Sequence, residues 1–310
     1  MFLDRTLSRR EEDPSLRATY VGKNSNITLL SSDLIYSRDW WEKPTVIEEY
    51  KLIFFTIPKV ACTEWKFLFR KMSGLSYYST EVEKVSLYQN PKTNGLMTLD
   101  KYPLREAERM MNSPDWTKAI FVREPKQRIV SAFLNKFTKD KGYFRQKCCG
   151  EDKLPNAKDR RHCDNMMDIK NFTYFLDRTL DCKDPHWEPQ FPVVDEKWWG
   201  SMNFVGSMES VSSDAKKLLE SLSSISDGKN VTAWEKHGKQ GWGSNRTGGF
   251  MQRNNAGHSA HASKRMCEYL TDKHEVFLEK HWHVEWEHQE YMRYEKKRLC
   301  NETQMARKRR

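Results

Sequence analysis

Two short, largely apolar runs, 52–57 and 118–122, each lead through a proline-containing turn into a segment of helical periodicity. Continuous apolar runs of this length read as strands buried on both faces. The first feeds a helix whose apolar positions are Trp65, Phe67, Leu68, Phe69 and Met72, closed by Ser73 and Gly74. The second feeds a helix starting near Pro125, with Ile129, Val130, Phe133, Leu134 and Phe137 on its apolar face. A third strand over 203–206 precedes a helix over 210–222. Further helices are expected over 104–111, 165–180, 262–270 and 272–298. Strands alternating with helices predict an α/β fold whose central, mostly parallel sheet is flanked by helices. Residues 1–48 read as an irregular segment, 75–100 as ambiguous, 139–165 as a basic insertion of weak periodicity, 224–260 as loop and 299–310 as a basic tail.

A chain of 310 residues can bury a full core, and one large domain is expected over 49–298. No stretch approaches the roughly 20 apolar residues of a bilayer span, and residues 1–13 hold no apolar signal region. The net charge of +10 favours an anionic partner, such as a nucleotide or an acidic glycan. No nucleic-acid-binding module is recognisable. Of the seven cysteines, Cys62 stands apart just after the first strand. Cys148, Cys149, Cys163, Cys182, Cys267 and Cys300 form an even set, expected to pair as disulfides with connectivity open. Zinc is the competing reading, because His162 adjoins Cys163, but no CxxC pair accompanies it and no metal is expected. Sequons at Asn26, Asn171, Asn230, Asn245 and Asn301 join the cysteines in pointing to an oxidising, secretory compartment.

The segment from Thr56 to Lys66 has the order of an anion cradle: buried strand, Pro58-Lys59, small residues, then a helix from about Thr63. Backbone N–H groups at a helix start favour a phosphate, and Lys59 adds a point charge. The Walker pattern GxxxxGK[ST] is absent, which argues against nucleoside triphosphate hydrolysis. Arg123 closes the second strand, and Ser131 follows eight residues on. A guanidinium fork and a helical hydroxyl can grip a second phosphate, so the pair of segments suits a nucleotide phosphorylated at two places.

Pro58-Lys59-Val60-Ala61-Cys62-Thr63-Glu64-Trp65 resembles the 5′-phosphosulfate loop of the Golgi carbohydrate sulfotransferases. The segment from Val122 through Arg123 and Arg128 to Ser131 resembles their 3′-phosphate motif. Weaker matches are His186-Trp187-x-Pro189, Phe204-Val-Gly206 followed by Glu209 and Asp214, and His261-Ala-Ser263. The resemblance implies a P-loop-like fold, the donor 3′-phosphoadenosine 5′-phosphosulfate (PAPS, leaving PAP), a carbohydrate hydroxyl as acceptor, acidic or not, and a Golgi or secretory setting; with no signal visible, an N-terminal anchor is expected to have been trimmed or to lie outside this sequence. Residues 139–200 would then face the acceptor. It makes Lys59 the catalytic lysine and Arg123, Ser131, His261 and Ser263 donor contacts. Ala61 stands where many members have glycine. His186 is the first candidate for the general base, with an imidazole that ordinarily titrates near neutrality; ordering of a proline-rich loop is its alternative role, and Glu64 and Glu188 are reserves. A non-catalytic, basic glycan-binding protein on the same fold is the competing function.

Overall fold

A computed structural model describes residues 28, 43–75, 94–194, 196–226, 228–238, 262–292, 294 and 299–300. The expected parallel strands are present as β2 (Leu52–Phe55), β4 (Thr117–Val122) and β5 (Phe204–Ser207). Two short strands extend the sheet antiparallel, β1 (Thr45–Ile47) beside β2 and β3 (Met97–Thr98) beside β1. The order is β3-β1-β2-β4-β5. Register pairs Phe55 with Ile120 and Val122 with Ser207, so the carboxyl ends of the three parallel strands lie side by side. Strand residues 52–55 and 119–122 are all buried, which is why they read as unbroken apolar runs. A Cβ at Gly206 would run into the Phe121 ring, so this strand position needs glycine.

Helices α1 (Cys62–Met72) and α2 (Leu104–Asn112) lie between β2 and β4 in the chain. After β4 come α3 (Pro125–Ala132) and a π-helical turn, Phe133–Phe137. The basic insertion is more ordered than its periodicity suggests, forming α4 (Lys141–Cys148) and α5 (Ala157–Asp168). The single helix expected over 165–180 is broken. Lys170 takes a left-handed backbone and Asn171 caps a new helix, α6 (Phe172–Asp181), by accepting from the Tyr174 N–H. Short helices α7 (Gln190–Val193) and α8 (Glu196–Trp199) precede β5, and α9 (Val211–Ser221) follows it. The stretch expected as loop opens with a hairpin, β6 (Ser223–Ser226) and β7 (Lys229–Thr232). After α10 (Ala262–Tyr269), the long final helix divides into α11 (Asp272–His281), α12 (Val284–Glu287) and α13 (Gln289–Met292). His261 and residues 301–310 of the basic tail lie outside the described residues, and β1 begins inside the segment read as irregular.

Two hydrophobic cores result. One surrounds the sheet, with Phe54, Trp65, Phe69 and Phe121 in mutual ring contact. The other joins α3, the π-turn, α4, α6 and α10 around Phe133, Phe137, Phe144, Phe175 and Trp187. Disulfides Cys148–Cys182 and Cys149–Cys163 staple this helical lobe, Cys267–Cys300 ties α10 to residues 299–300, and Cys62 is a free thiol. A buried ion pair fastens α3 to α11: Lys126, with no exposed surface, donates to Glu275 over 3.1 Å, with Glu279 at 3.9 Å. Removing one partner of such a pair strands the other charge in a dry interior. Lys126→Met is expected to cost about 3–5 kcal/mol, read as a lowered urea midpoint; a loss below about 1 kcal/mol would show that the pair behaves like a surface contact.

Candidate functional site

The carboxyl ends of parallel strands are where open α/β sheets bind ligands, and the loop from Thr56 to Ala61 lies at that edge. Its backbone folds back at two non-glycine residues, Lys59 (φ 70°) and Ala61 (φ 55°), both left-handed. Alternating hands of this kind point successive N–H groups toward a common concavity. Ala61 is the residue before α1, and no side chain caps that helix start. The first-turn residues Cys62, Thr63 and Glu64 are half-buried. Pro58 and Val60 are buried, with the Val60 N–H donating to Ile57 over 3.3 Å. Trp65 differs from the expectation of a donor contact: its ring is core, 4.8 Å from Phe54 and 4.6 Å from Phe121.

Arg123 reaches across from the end of β4, and its Nη1 donates to the Lys59 carbonyl over 3.2 Å. Its Nε is buried without a hydrogen-bond partner. The Lys59 Nζ donates to Asn135 Oδ1 over 2.9 Å. Burial lowers the Lys59 ammonium to about 7, and the neighbouring cations Arg123, Lys136 and Arg128 add to the shift. Ser131 is buried in α3, and Ser263 is exposed on α10, which packs on α3.

Arg128 fixes this loop against the segment carrying His186. It donates from Nε to Pro58 (3.0 Å), from Nη2 to Pro185 (2.5 Å) and from Nη1 to Glu188 (2.5 Å), all backbone carbonyls. Gln190 completes the junction by pairing both ways with the Arg123 backbone, accepting from its N–H at 2.8 Å and donating to its carbonyl at 2.7 Å. The Gln190 N–H in turn donates to Glu285, whose carboxyl burial raises to about 7 against the pull of Arg128.

His186 is 5 % exposed, with Nδ1 2.6 Å from Asp184 Oδ1. Tyr143 donates to the other Asp184 oxygen over 2.6 Å. Burial pushes Asp184 up, but hydrogen bonds from His186 and Tyr143 outweigh it and hold the carboxyl below its usual range. An ionised Asp184 can only accept, so the proton of the neutral imidazole sits on Nδ1 and Nε2 is the unprotonated nitrogen. Burial lowers His186 to about 4, against the pull of Asp184, so it does not titrate near neutrality as the sequence suggests. Gln190, Asp184, Tyr143 and Asn135 escaped sequence reasoning. Only Gln190, directly after the HWxP segment, stood beside a recognisable motif.

Residues 43–285 match the sulfotransferase family. The chain belongs to that family. Carbohydrate sulfotransferase 11 of Mus musculus is 29% identical over 184 residues, covering 56% of this chain and 51% of the relative. Carbohydrate sulfotransferase 14 of Homo sapiens is 26% identical over 233 residues, covering 69% and 58%. The 11 homologue of Rattus norvegicus reaches 42% over 93 residues, 30% of this chain and 26% of the relative. The chain therefore spans only part of the length of these relatives. No solved structure matches. In this chain Ala61 occupies a left-handed position that suits glycine. Ala61→Gly should leave stability unchanged or raise it by up to about 1 kcal/mol, and the β-branched Ala61→Val should lower it by more than about 1 kcal/mol. Thermal denaturation checks both, and equal melting temperatures for Ala61→Val and the parent would refute the strained loop.

Proposed function

We propose that this protein transfers the sulfuryl group of PAPS to a hydroxyl of a carbohydrate. The observation that carries this reading is the convergence of Lys59, the uncapped start of α1 and the unpartnered Arg123 Nε around one loop. Such a set fits a polyanion: two cations and a ring of backbone donors with no carboxylate side chain hydrogen-bonded to either cation among the described residues. PAPS, when bound, supplies an activated sulfuryl group on a phosphate leaving group. Lys59 and the N–H groups of the first turn of α1 would hold the phosphosulfate end and neutralise charge as it develops. Arg123, with Ser131 and Ser263, would hold the 3′-phosphate, and His261 joins them on resemblance alone. Pro58, Val60, Ala61, Cys62, Thr63, Glu64 and Trp65 contribute through the backbone path of the loop. The chemistry then rests on alignment and charge, as in phosphoryl transfer. Among the described residues no group of His, Cys, Asp and Glu is arranged to hold a metal ion.

His186 would take the acceptor proton on Nε2, with Asp184 stabilising the imidazolium that forms. Its burial keeps it in the basic form at neutral pH. The relatives' names speak of carbohydrate, and the net charge of +10 suits an acceptor carrying acidic groups. Three disulfides support a Golgi or secretory-pathway setting. Of the two sequons among the described residues, Asn230 is exposed on β7 and presented for a glycan, whereas the Asn171 side chain is occupied in capping α6.

Transfer of radiolabel from PAPS to a panel of glycans tests the reading, and a chain that labels none and does not bind PAP would favour the glycan-binding alternative. Lys59→Ala should reduce turnover by at least about 10²-fold. Arg123→Ala should weaken PAP binding by about 10- to 150-fold, measured by calorimetry. His186→Ala should lower kcat by about 10²–10⁴ with PAP affinity intact; simultaneous loss of PAP binding would assign it to loop structure. Lys59 loses its charge as pH rises through about 7, so kcat/KM for the donor should fall above that pH. His186 gains its charge only near 4, so the acid limb should lie well below neutrality.

A further inference from the structure

The π-helical turn Phe133–Phe137 extends α3 just where the donor loop and the His186 segment meet. Its i→i+5 pattern is visible in the Thr138 N–H donating to Phe133 over 3.1 Å, and the Asp140 N–H donates to Asn135 over 2.7 Å. Phe133 and Phe137 are fully buried and stacked with centroids 5.3 Å apart, so the turn stands on a packed base. π-turns often mark functional sites, and this one touches both halves of the proposed machinery. Asn135 accepts from Lys59 Nζ over 2.9 Å. The next residue, Lys136, lies over the Tyr143 ring at 4.0 Å, and Tyr143 donates to the Asp184 carboxylate that orients His186.

We propose that Asn135 is a positioning residue that docks the Lys59 amine and sets how readily it is released to an incoming anion. The inference rests on the reading of Lys59 as the donor-facing lysine. Lys59 is held at both ends: its carbonyl accepts from Arg123 Nη1, and its side-chain tip donates to Asn135. The titratable groups acting most strongly on it are Cys62 on α1, Arg123 at the end of β4, Arg128 on α3 and Lys136 on the π-turn; Lys59 itself acts on His186 in the segment after α6. All but the thiol and the imidazole are cations. In that setting the chemistry of the docking oxygen decides the lysine's behaviour. A neutral carboxamide oxygen fixes the direction of the amine while leaving it cheap to detach. A carboxylate there would hold the ammonium as an ion pair and repel the donor's own negative charge.

The intact chain and its Asn135→Asp, Asn135→Ala and Lys59→Ala variants test this without an acceptor. Competitive labelling with an amine-reactive reagent across pH, read on the Lys59 peptide by mass spectrometry, reports the titration of that amine. Calorimetry with PAP reports the anion site. In Asn135→Asp the labelling midpoint should rise by at least about one pH unit and PAP should bind about tenfold more weakly. In Asn135→Ala the Lys59 amine should label at least about threefold faster, having lost its docking bond. If Asn135→Ala proves unstable, the near-isosteric Asn135→Asp carries the test. A Lys59 profile that superimposes in the parent and Asn135→Asp would overturn the proposal. Lys59→Ala with undiminished PAP binding would instead overturn the donor-site reading beneath it.

Discussion

The three bonds from the Arg128 guanidinium to the carbonyls of Pro58, Pro185 and Glu188 hold the loop from Thr56 to Ala61 against the segment that carries His186. Each of those carbonyls sits in a stretch without a regular ladder, where an unpaired polar group would be costly. A planar fork with five donors can serve three carbonyls at fixed angles, and a lysine ammonium cannot reproduce that geometry. Burial lowers Arg128 to about 10, with Glu285 opposing, so it stays cationic at neutral pH. The loop from Thr56 to Ala61, the end of β4 and the His186 segment are thereby built around one cation.

Strain enters at the same place. Left-handed backbone at Lys59 and Ala61 costs roughly 1–3 kcal/mol per residue, and the surroundings sustain it through Arg123 on the Lys59 carbonyl and Arg128 on the Pro58 carbonyl. The return is a loop whose N–H groups and lysine converge before any ligand arrives, the preorganisation that charge-stabilising catalysis needs. The helical lobe contributes from the other side. Its packed aromatic core and disulfides fix the π-turn, and with it Asn135 and Lys136.

The strands were legible because they are buried on both faces and so carry no polar interruption; β2, β4 and β5 follow the apolar runs closely. Strand β1 was not, because three residues paired antiparallel at the sheet's far side give too little pattern against polar neighbours. The break between α5 and α6 had a local signal in Asn171, a good capping residue, but apolar spacing runs through it. The placement of Lys59 and Arg123 just after buried strands was legible from the apolar runs that precede them. The lowered His186 was not, since its acidity comes from burial beneath Tyr143 and Trp187, which no spacing reveals. Asn135 was hidden because the π-turn breaks the helical periodicity that would place it.

The central claim is that an anion binds against a Lys59 amine that is largely uncharged above neutrality. Titrating the intact protein with PAP at about pH 8, in two buffers of different ionisation enthalpy, measures the protons that accompany binding. An anion beside Lys59 favours its charged form, so the account predicts one-to-one binding with uptake of about one proton. Binding with no proton uptake, or no binding at all, would contradict it.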